Sequence, residues 1–185
     1  MAATPSAMLP LGTSAPDFEL KDVVSGELIN QESFKDKKGL LVMFICRHCP
    51  FVKHVQEELA KLGKEYQDRV GIVAISANDI NEYPEDAPES LKEQAVELGF
   101  TFPYLYDESQ EVAKAYSAQC TPDFFLFDEE RKLIYRGQLD SSRPGSEIAV
   151  TGQDLRAAMD ALLSGGAISQ DQKPSIGCSI KWKDQ

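Results

Sequence analysis

The sequence predicts an α/β fold, a mixed central sheet flanked by helices, and three features carry that expectation. Leu40-Leu41-Val42-Met43-Phe44-Ile45 is an unbroken apolar run, the pattern of a strand buried on both faces. Directly after it, Val52, Val55, Leu59, Leu62 and Tyr66 recur at helical spacing. Further on, Phe124-Phe125-Leu126-Phe127 and Leu133-Ile134-Tyr135-Arg136 flank the polar turn Asp128-Glu129-Glu130-Arg131, which reads as a hairpin. Strands that alternate with helices and then give way to a hairpin imply parallel and antiparallel neighbours in one sheet.

In chain order, residues 1–12 read as a loose, extended lead-in. Phe18 to Asp22 and Leu28 to Asn30, separated by Ser25-Gly26, suggest two short strands. Ser33-Phe34 and the lysines that follow form a turn before the buried strand at 40–45, and the first helix runs from about 49 to 67. Val70 to Ser76 is a second buried strand. Residues 78–88 hold two prolines and several acidic side chains and read as a solvated surface loop around Tyr83-Pro84-Glu85-Asp86. A helix over Ser90 to Leu98 stops at Gly99, Phe102 to Tyr106 is extended, and Glu108 to Ser117 is helical. After the hairpin, a last helix over Gln153 to Leu163 stops at Gly165-Gly166. One domain is expected over 9–165, with 166–185 as a weakly periodic tail packed on or near it.

The chain has 185 residues and a formal net charge of -11, which disfavours nucleic acid and anionic membrane surfaces as partners, since both need basic patches. No stretch approaches the roughly 18 apolar residues of a membrane span. Met1 to Pro10 lacks a basic n-region and a long apolar core, so it does not read as a signal peptide. Four cysteines are too few for a disulfide-stapled scaffold, and a reducing, cytoplasmic location is the expectation.

The chemistry concentrates in Cys46-Arg47-His48-Cys49, at the joint between the buried strand and the first helix. Two cysteines at this spacing can close a small disulfide ring and reopen it, which is dithiol redox chemistry. Unpaired backbone N–H groups at a helix mouth favour a thiolate, so a lowered pKa is expected at Cys46 and a higher one at Cys49. Arg47, His48 and the adjacent Pro50 are expected to tune the pair. A structural zinc site needs about four ligands at recognisable spacing. Cys120 and Cys178 stand alone, and His48 and His54 do not complete such a pattern, so no metal is expected. A metal- or cluster-binding module using Cys46, Cys49 and a histidine, and a redox sensor that turns over no substrate, remain as rival readings. Cys178 is a packed terminal thiol or a third redox cysteine, resolving Cys46 or holding the tail down.

The order strand, Cys-x-x-Cys, helix, strand, helix, then Thr121-Pro122 before a strand, resembles the thioredoxin superfamily. Residues 12–20, Gly12-Thr13-Ser14-Ala15-Pro16-Asp17-Phe18-Glu19-Leu20, look like the start of its redoxin branch, which includes peroxiredoxins of the AhpC/TSA type and TlpA/ResA-like thiol-disulfide oxidoreductases. Cys46 to His54, Phe102 to Leu105, Cys120 to Phe125 and Ser175-Ile176-Gly177-Cys178-Ser179-Ile180-Lys181-Trp182 together are similar to a bacterial thioredoxin-like family described as probable thiol-disulfide isomerases or thioredoxins. The resemblance implies a thioredoxin-like fold and a thiol-disulfide oxidoreductase. In it, Cys46 attacks, Cys49 resolves, and Thr121 with a cis Pro122 shapes the substrate groove, which brings Cys120 near the pair, as an accessory redox cysteine or a small buried one. It implies protein or small-molecule disulfides and thiols as substrates, a reductant or oxidant protein as partner, and no organic cofactor. A peroxiredoxin-like antioxidant role meets a departure: peroxidases of this branch carry Thr or Ser three residues before the reactive cysteine, where Met43 stands here.

Overall fold

The structure, a computed structural model, describes residues 3–184. Met1 and Ala2 of the expected lead-in and Gln185 of the expected tail lie outside the described residues. In chain order the elements are β1 (Ala3–Pro5), β2 (Glu19–Lys21), β3 (Leu28–Asn30), β4 (Leu40–Phe44), α1 (Pro50–Tyr66), β5 (Gly71–Ser76) and α2 (Pro88–Leu98). They continue with β6 (Tyr104–Tyr106), α3 (Glu111–Ala115), β7 (Cys120–Thr121), β8 (Asp123–Phe127), β9 (Leu133–Gly137), α4 (Gln153–Ser164) and β10 (Ile176–Ser179). Single 3₁₀ turns cover Gln31–Phe34 and Pro84–Asp86.

The central sheet has the order β6-β5-β4-β8-β9. β4 runs parallel to β5 and antiparallel to β8, so it is the strand where the two directions meet. This is the mixed α/β architecture the sequence predicts. Because side chains alternate across a strand, β4 feeds two cores. Leu41 and Met43 pack with Val52, Val55, Leu59 and Leu62 of α1 and with Leu155 and Met159 of α4. Leu40, Val42 and Phe44 face the other layer, with Phe125, Phe127 and Tyr116. An unbroken apolar run is what a strand covered on both faces demands, and all five residues of β4 are buried.

Three expectations change. Helix α3 covers only Glu111–Ala115, because Gln110 has a left-handed backbone (φ 65°) and cannot be a helical residue. Its side chain instead donates to the carbonyls of Ala77 (2.6 Å) and Lys181 (2.9 Å). The acidic loop at 78–88 is partly ordered as a 3₁₀ turn, and α2 begins earlier, with Pro88 at its first position, where the missing N–H costs nothing. The lead-in is not loose: β1 pairs with β10 of the tail, and β10 pairs with β7, in a second, three-stranded antiparallel sheet. Ser6 and Ser175 exchange hydrogen bonds beside it, both at 2.9 Å. No helix among the described residues is long and apolar enough to cross a membrane.

Leu59 is wholly buried between α1 and the sheet, and its truncation leaves a cavity where α1 is anchored. Leu59→Ala is expected to lower unfolding free energy by about 2–5 kcal/mol, measured by denaturant titration.

Candidate functional site

The end of β4 and the start of α1 deliver Cys46 and Cys49 to the same place. Cys49 is the N-cap of α1, with extended backbone (φ -68°, ψ 125°), and Pro50 takes the first helical position. Facing them is the Thr121–Pro122 bond, which is cis. Cys49 Sγ lies 3.3 Å from the Thr121 carbonyl oxygen, and Cys46 Sγ lies 3.5 Å from Thr121 Oγ1. A third sulfur completes the group: Cys178 of β10 stands with its Sγ 2.7 Å from that of Cys49. All four cysteines are free thiols and buried. Cys46 and Cys49 are 0% exposed and Cys178 is 3% exposed, so no sulfur of the trio faces open solvent.

The direction of the shifts favours negative charge on Cys49 over Cys46. Burial pushes the Cys46 thiol well above its usual range, with its hydrogen bond to Cys49 and the Asp86 carboxylate adding to the rise. Cys49 is pulled down to about 5, by its hydrogen bond from Cys46 above all, then by those to Cys178 and Thr121 and by the Val52 backbone N–H. The helix begins at Pro50, so Cys49 rather than Cys46 meets the unpaired N–H groups of the first turn. The burial of Cys178, together with its bond to Cys49, pushes that thiol up to about 12.

The tuning residues are placed differently from one another. The Arg47 guanidinium turns away from the sulfurs to Glu93 (2.8 Å) and the Ser90 carbonyl (2.9 Å) on α2, so its charge is spent on that helix. His48 stays at the site. Its Nδ1 is 3.9 Å from Cys46 Sγ and makes a short hydrogen bond to Asp86, and its ring stacks on Tyr83 at 5.0 Å. The bond to Asp86 raises the His48 pKa, and Asp86, despite its burial, is held below the usual carboxylate range. Asp86 also accepts from the Arg47 (2.8 Å) and His48 (3.1 Å) backbone N–H groups and from Asn78 Nδ2 (2.9 Å). It is 0% exposed, unlike its loop neighbours Pro84 and Glu85, which are exposed as the sequence reading expects.

Cys120 is buried in β7 with Sγ 3.7 Å from the Pro122 carbonyl, and burial raises its pKa. His54 lies on α1 apart from the sulfurs, bonded to Ser142 Oγ at 2.7 Å. Cys46 Sγ, His48 Nδ1 and an Asp86 carboxylate oxygen lie within 4.8 Å of one another, the one group of three such donors among the described residues. The His48–Asp86 bond and the bonds of Cys46 to Cys49 and Thr121 already engage those atoms, and three donors fall short of a structural zinc set. Sequence reasoning missed Asp86 and Gln94, whose Nε2 holds the Cys46 carbonyl at 3.4 Å. No local pattern marks either residue, because both are recruited across the fold.

The Redoxin family model matches residues 10–155. A crystal structure of a conserved protein from Geobacillus kaustophilus is 56% identical, with a TM-score of 0.97 over 100% of this chain and 98% of that one. The thioredoxin-like protein YneN of Bacillus subtilis is 30% identical over 119 residues, 64% of this chain and 66% of the relative, so the chain spans just under two thirds of that relative's length. The thioredoxin domain of a thiol-disulfide oxidoreductase from Bacteroides vulgatus shares the fold, with a TM-score of 0.58 at 23% identity over 73% of this chain and 90% of that one.

The His48–Asp86 pair carries a pH signature. Asp86, lowered from 3.8, adds stability above that pH, and this is lost as pH falls through its folded value. His48, raised from 6.5, adds stability below that pH, and this is lost as pH rises through its folded value. The stability difference between wild type and Asp86→Asn is therefore expected to peak between pH about 4 and 6.5 and to shrink on both sides, measured by denaturant unfolding across pH.

Proposed function

The chain belongs to the Redoxin family, and on that premise we propose that it is an oxidoreductase exchanging disulfides through Cys46 and Cys49. The observation that carries the reading is the convergence of Cys46, at the end of β4, and Cys49, at the N-cap of α1, on the cis Thr121–Pro122 turn. The thioredoxin-like relative and the family match support the same class of redox chemistry.

In the proposed reaction the Cys49 thiolate attacks one sulfur of the substrate disulfide. A mixed disulfide forms, and the other substrate sulfur leaves as a thiolate that takes a proton. Cys46 then gives up its proton and attacks Cys49 Sγ, which closes the Cys46–Cys49 disulfide and frees the second substrate thiolate. The substrate gains two electrons and the pair loses two. The nearest groups able to handle the Cys46 proton are Thr121 Oγ1 and the His48–Asp86 pair. The substrates are disulfides of proteins or small molecules, and a separate thiol donor or acceptor resets the pair. Met43 is wholly buried and supplies no hydroxyl, so nothing at that position supports a peroxidase.

Either Cys46→Ser or Cys49→Ser is expected to cut the reduction of a protein disulfide such as that of insulin by about 10²-fold or more. The two differ in what they trap. With Cys178 also replaced by Ser, so that no third thiol can resolve the adduct, Cys46→Ser should accumulate a mixed disulfide on Cys49, seen by mass spectrometry after acid quench; accumulation on Cys46 in Cys49→Ser/Cys178→Ser instead would restore the order of attack expected from sequence.

A second expectation concerns the thiolate. In wild type the ultraviolet absorbance of a thiolate should titrate with a pKa of about 5 and disappear in Cys49→Ser. In Cys46→Ala, which removes the strongest hydrogen-bond partner of Cys49, the midpoint should move up.

A further inference from the structure

Strand β10 lies where a substrate strand would lie. It runs antiparallel to β7, with Cys178 opposite Thr121 and Ser179 opposite Cys120. Backbone groups left unpaired at a strand edge can take up an extended partner, and at Thr121 the chain's own tail takes them. The fit is close: a Cβ built on Gly177 would fall inside the Thr121 carbonyl, so only glycine lets β10 come so near the turn. The next residue then sets its sulfur 2.7 Å from Cys49 Sγ. The strand is held beyond this register. Ile180 N–H donates to the Gln119 carbonyl (3.0 Å), Lys181 N–H donates to Asn78 Oδ1 (2.9 Å), and Asp79 N–H donates to the Lys181 carbonyl (2.8 Å). On its far side β1 pairs with it, Ala3 opposite Cys178.

We infer that Cys178 is a third redox-active cysteine and that β10 is an internal substrate strand, which exchanges with the Cys46–Cys49 disulfide and shields the site from other disulfides until it is displaced. The inference rests on the proposed dithiol chemistry of Cys46 and Cys49. In the exchange, Cys178 loses its proton and its sulfur attacks Cys49 Sγ. The Cys49–Cys178 bond forms as the Cys46–Cys49 bond breaks, and the electron pair goes to Cys46, which takes up a proton. One disulfide becomes another, with no net gain or loss of electrons and no outside oxidant. The product ties the tail across the groove and returns Cys46 to the thiol state. In the reduced protein the same strand covers the pair, so an external disulfide competes with β10 for the backbone of Thr121.

The test is disulfide mapping of the full chain after exposure to oxidised glutathione, acid quench and alkylation, with Trp182, the chain's one tryptophan and three residues beyond β10, as a fluorescence reporter of the tail. Wild type is expected to yield both Cys46–Cys49 and Cys49–Cys178 linkages. Cys46→Ser is expected to yield Cys49–Cys178 as its intramolecular disulfide. Gly177→Ala, which pushes β10 off Thr121, should lower the yield of Cys49–Cys178 at least about tenfold, because the local concentration of Cys178 at Cys49 falls. It should also speed the reaction of Cys46 and Cys49 with glutathione disulfide and shift the Trp182 emission. The inference is overturned if Cys46→Ser ends with glutathione on Cys49 and a free Cys178, or if Cys178→Ser reacts with external disulfides at the wild-type rate while wild type forms Cys46–Cys49 alone. Wild type that forms no disulfide at Cys46 or Cys49 and turns over none would overturn the dithiol reading itself, a result distinct from either of these.

Discussion

The approach of β10 to the Thr121–Pro122 turn sets the geometry on which the rest of the site depends. A strand interior disfavours glycine, which packs nothing and loses more freedom on ordering than other residues. Gly177 is nevertheless where it must be, because a side chain there would collide with the Thr121 carbonyl. From that contact follow the position of Cys178 against Cys49, the exclusion of solvent from all three sulfurs, and the protonation pattern they share. A thiolate in a buried place is costly unless donors meet it. Cys46, Cys178, the Val52 backbone N–H and the mouth of α1 all favour charge at Cys49.

The charged residues around the pair divide the work in a way their sequence order hides. Arg47 and His48 are neighbours, yet one side chain leaves the site for the acidic face of α2 while the other stays under Cys46. The peptide between them explains the divergence. Asp86 accepts from the backbone N–H groups of both residues, which fixes the Cys46-to-Cys49 loop, and it also binds the His48 ring. A buried carboxylate with this many donors holds a loop rigidly, and it opposes a negative charge on Cys46 while leaving Cys49 as the place for one.

Features governed by local pattern could be read in the sequence. The buried run of β4, the apolar stripe of α1, the hairpin of β8 and β9 and the place of the two cysteines at a strand–helix joint each depend on a few adjacent residues of strong preference. The sequence places the thiolate at Cys46; Pro50 at the first helical position sets Cys49 at the helix mouth, and the direction of the shifts favours Cys49. Asp86 looked like part of a solvated acidic loop, since nothing near it in sequence announces the partners that bury it. The tail was illegible for the same reason. Ile176-Gly177-Cys178-Ser179 has no alternation and little strand preference, and it is a strand because β7 and β1 supply its hydrogen bonds.

The pairing of Ala3 with Cys178 joins positions near opposite ends of the chain. Contacts so far apart in sequence close the largest loop available and tend to form late. While the protein is being synthesised, β4 and α1 leave the ribosome long before β10, so the nascent dithiol passes through a period in which its own tail does not yet exist to cover it. In a newly made chain Cys46 and Cys49 are therefore without the cover of β10 until Ser179 has emerged and that strand has paired with β7.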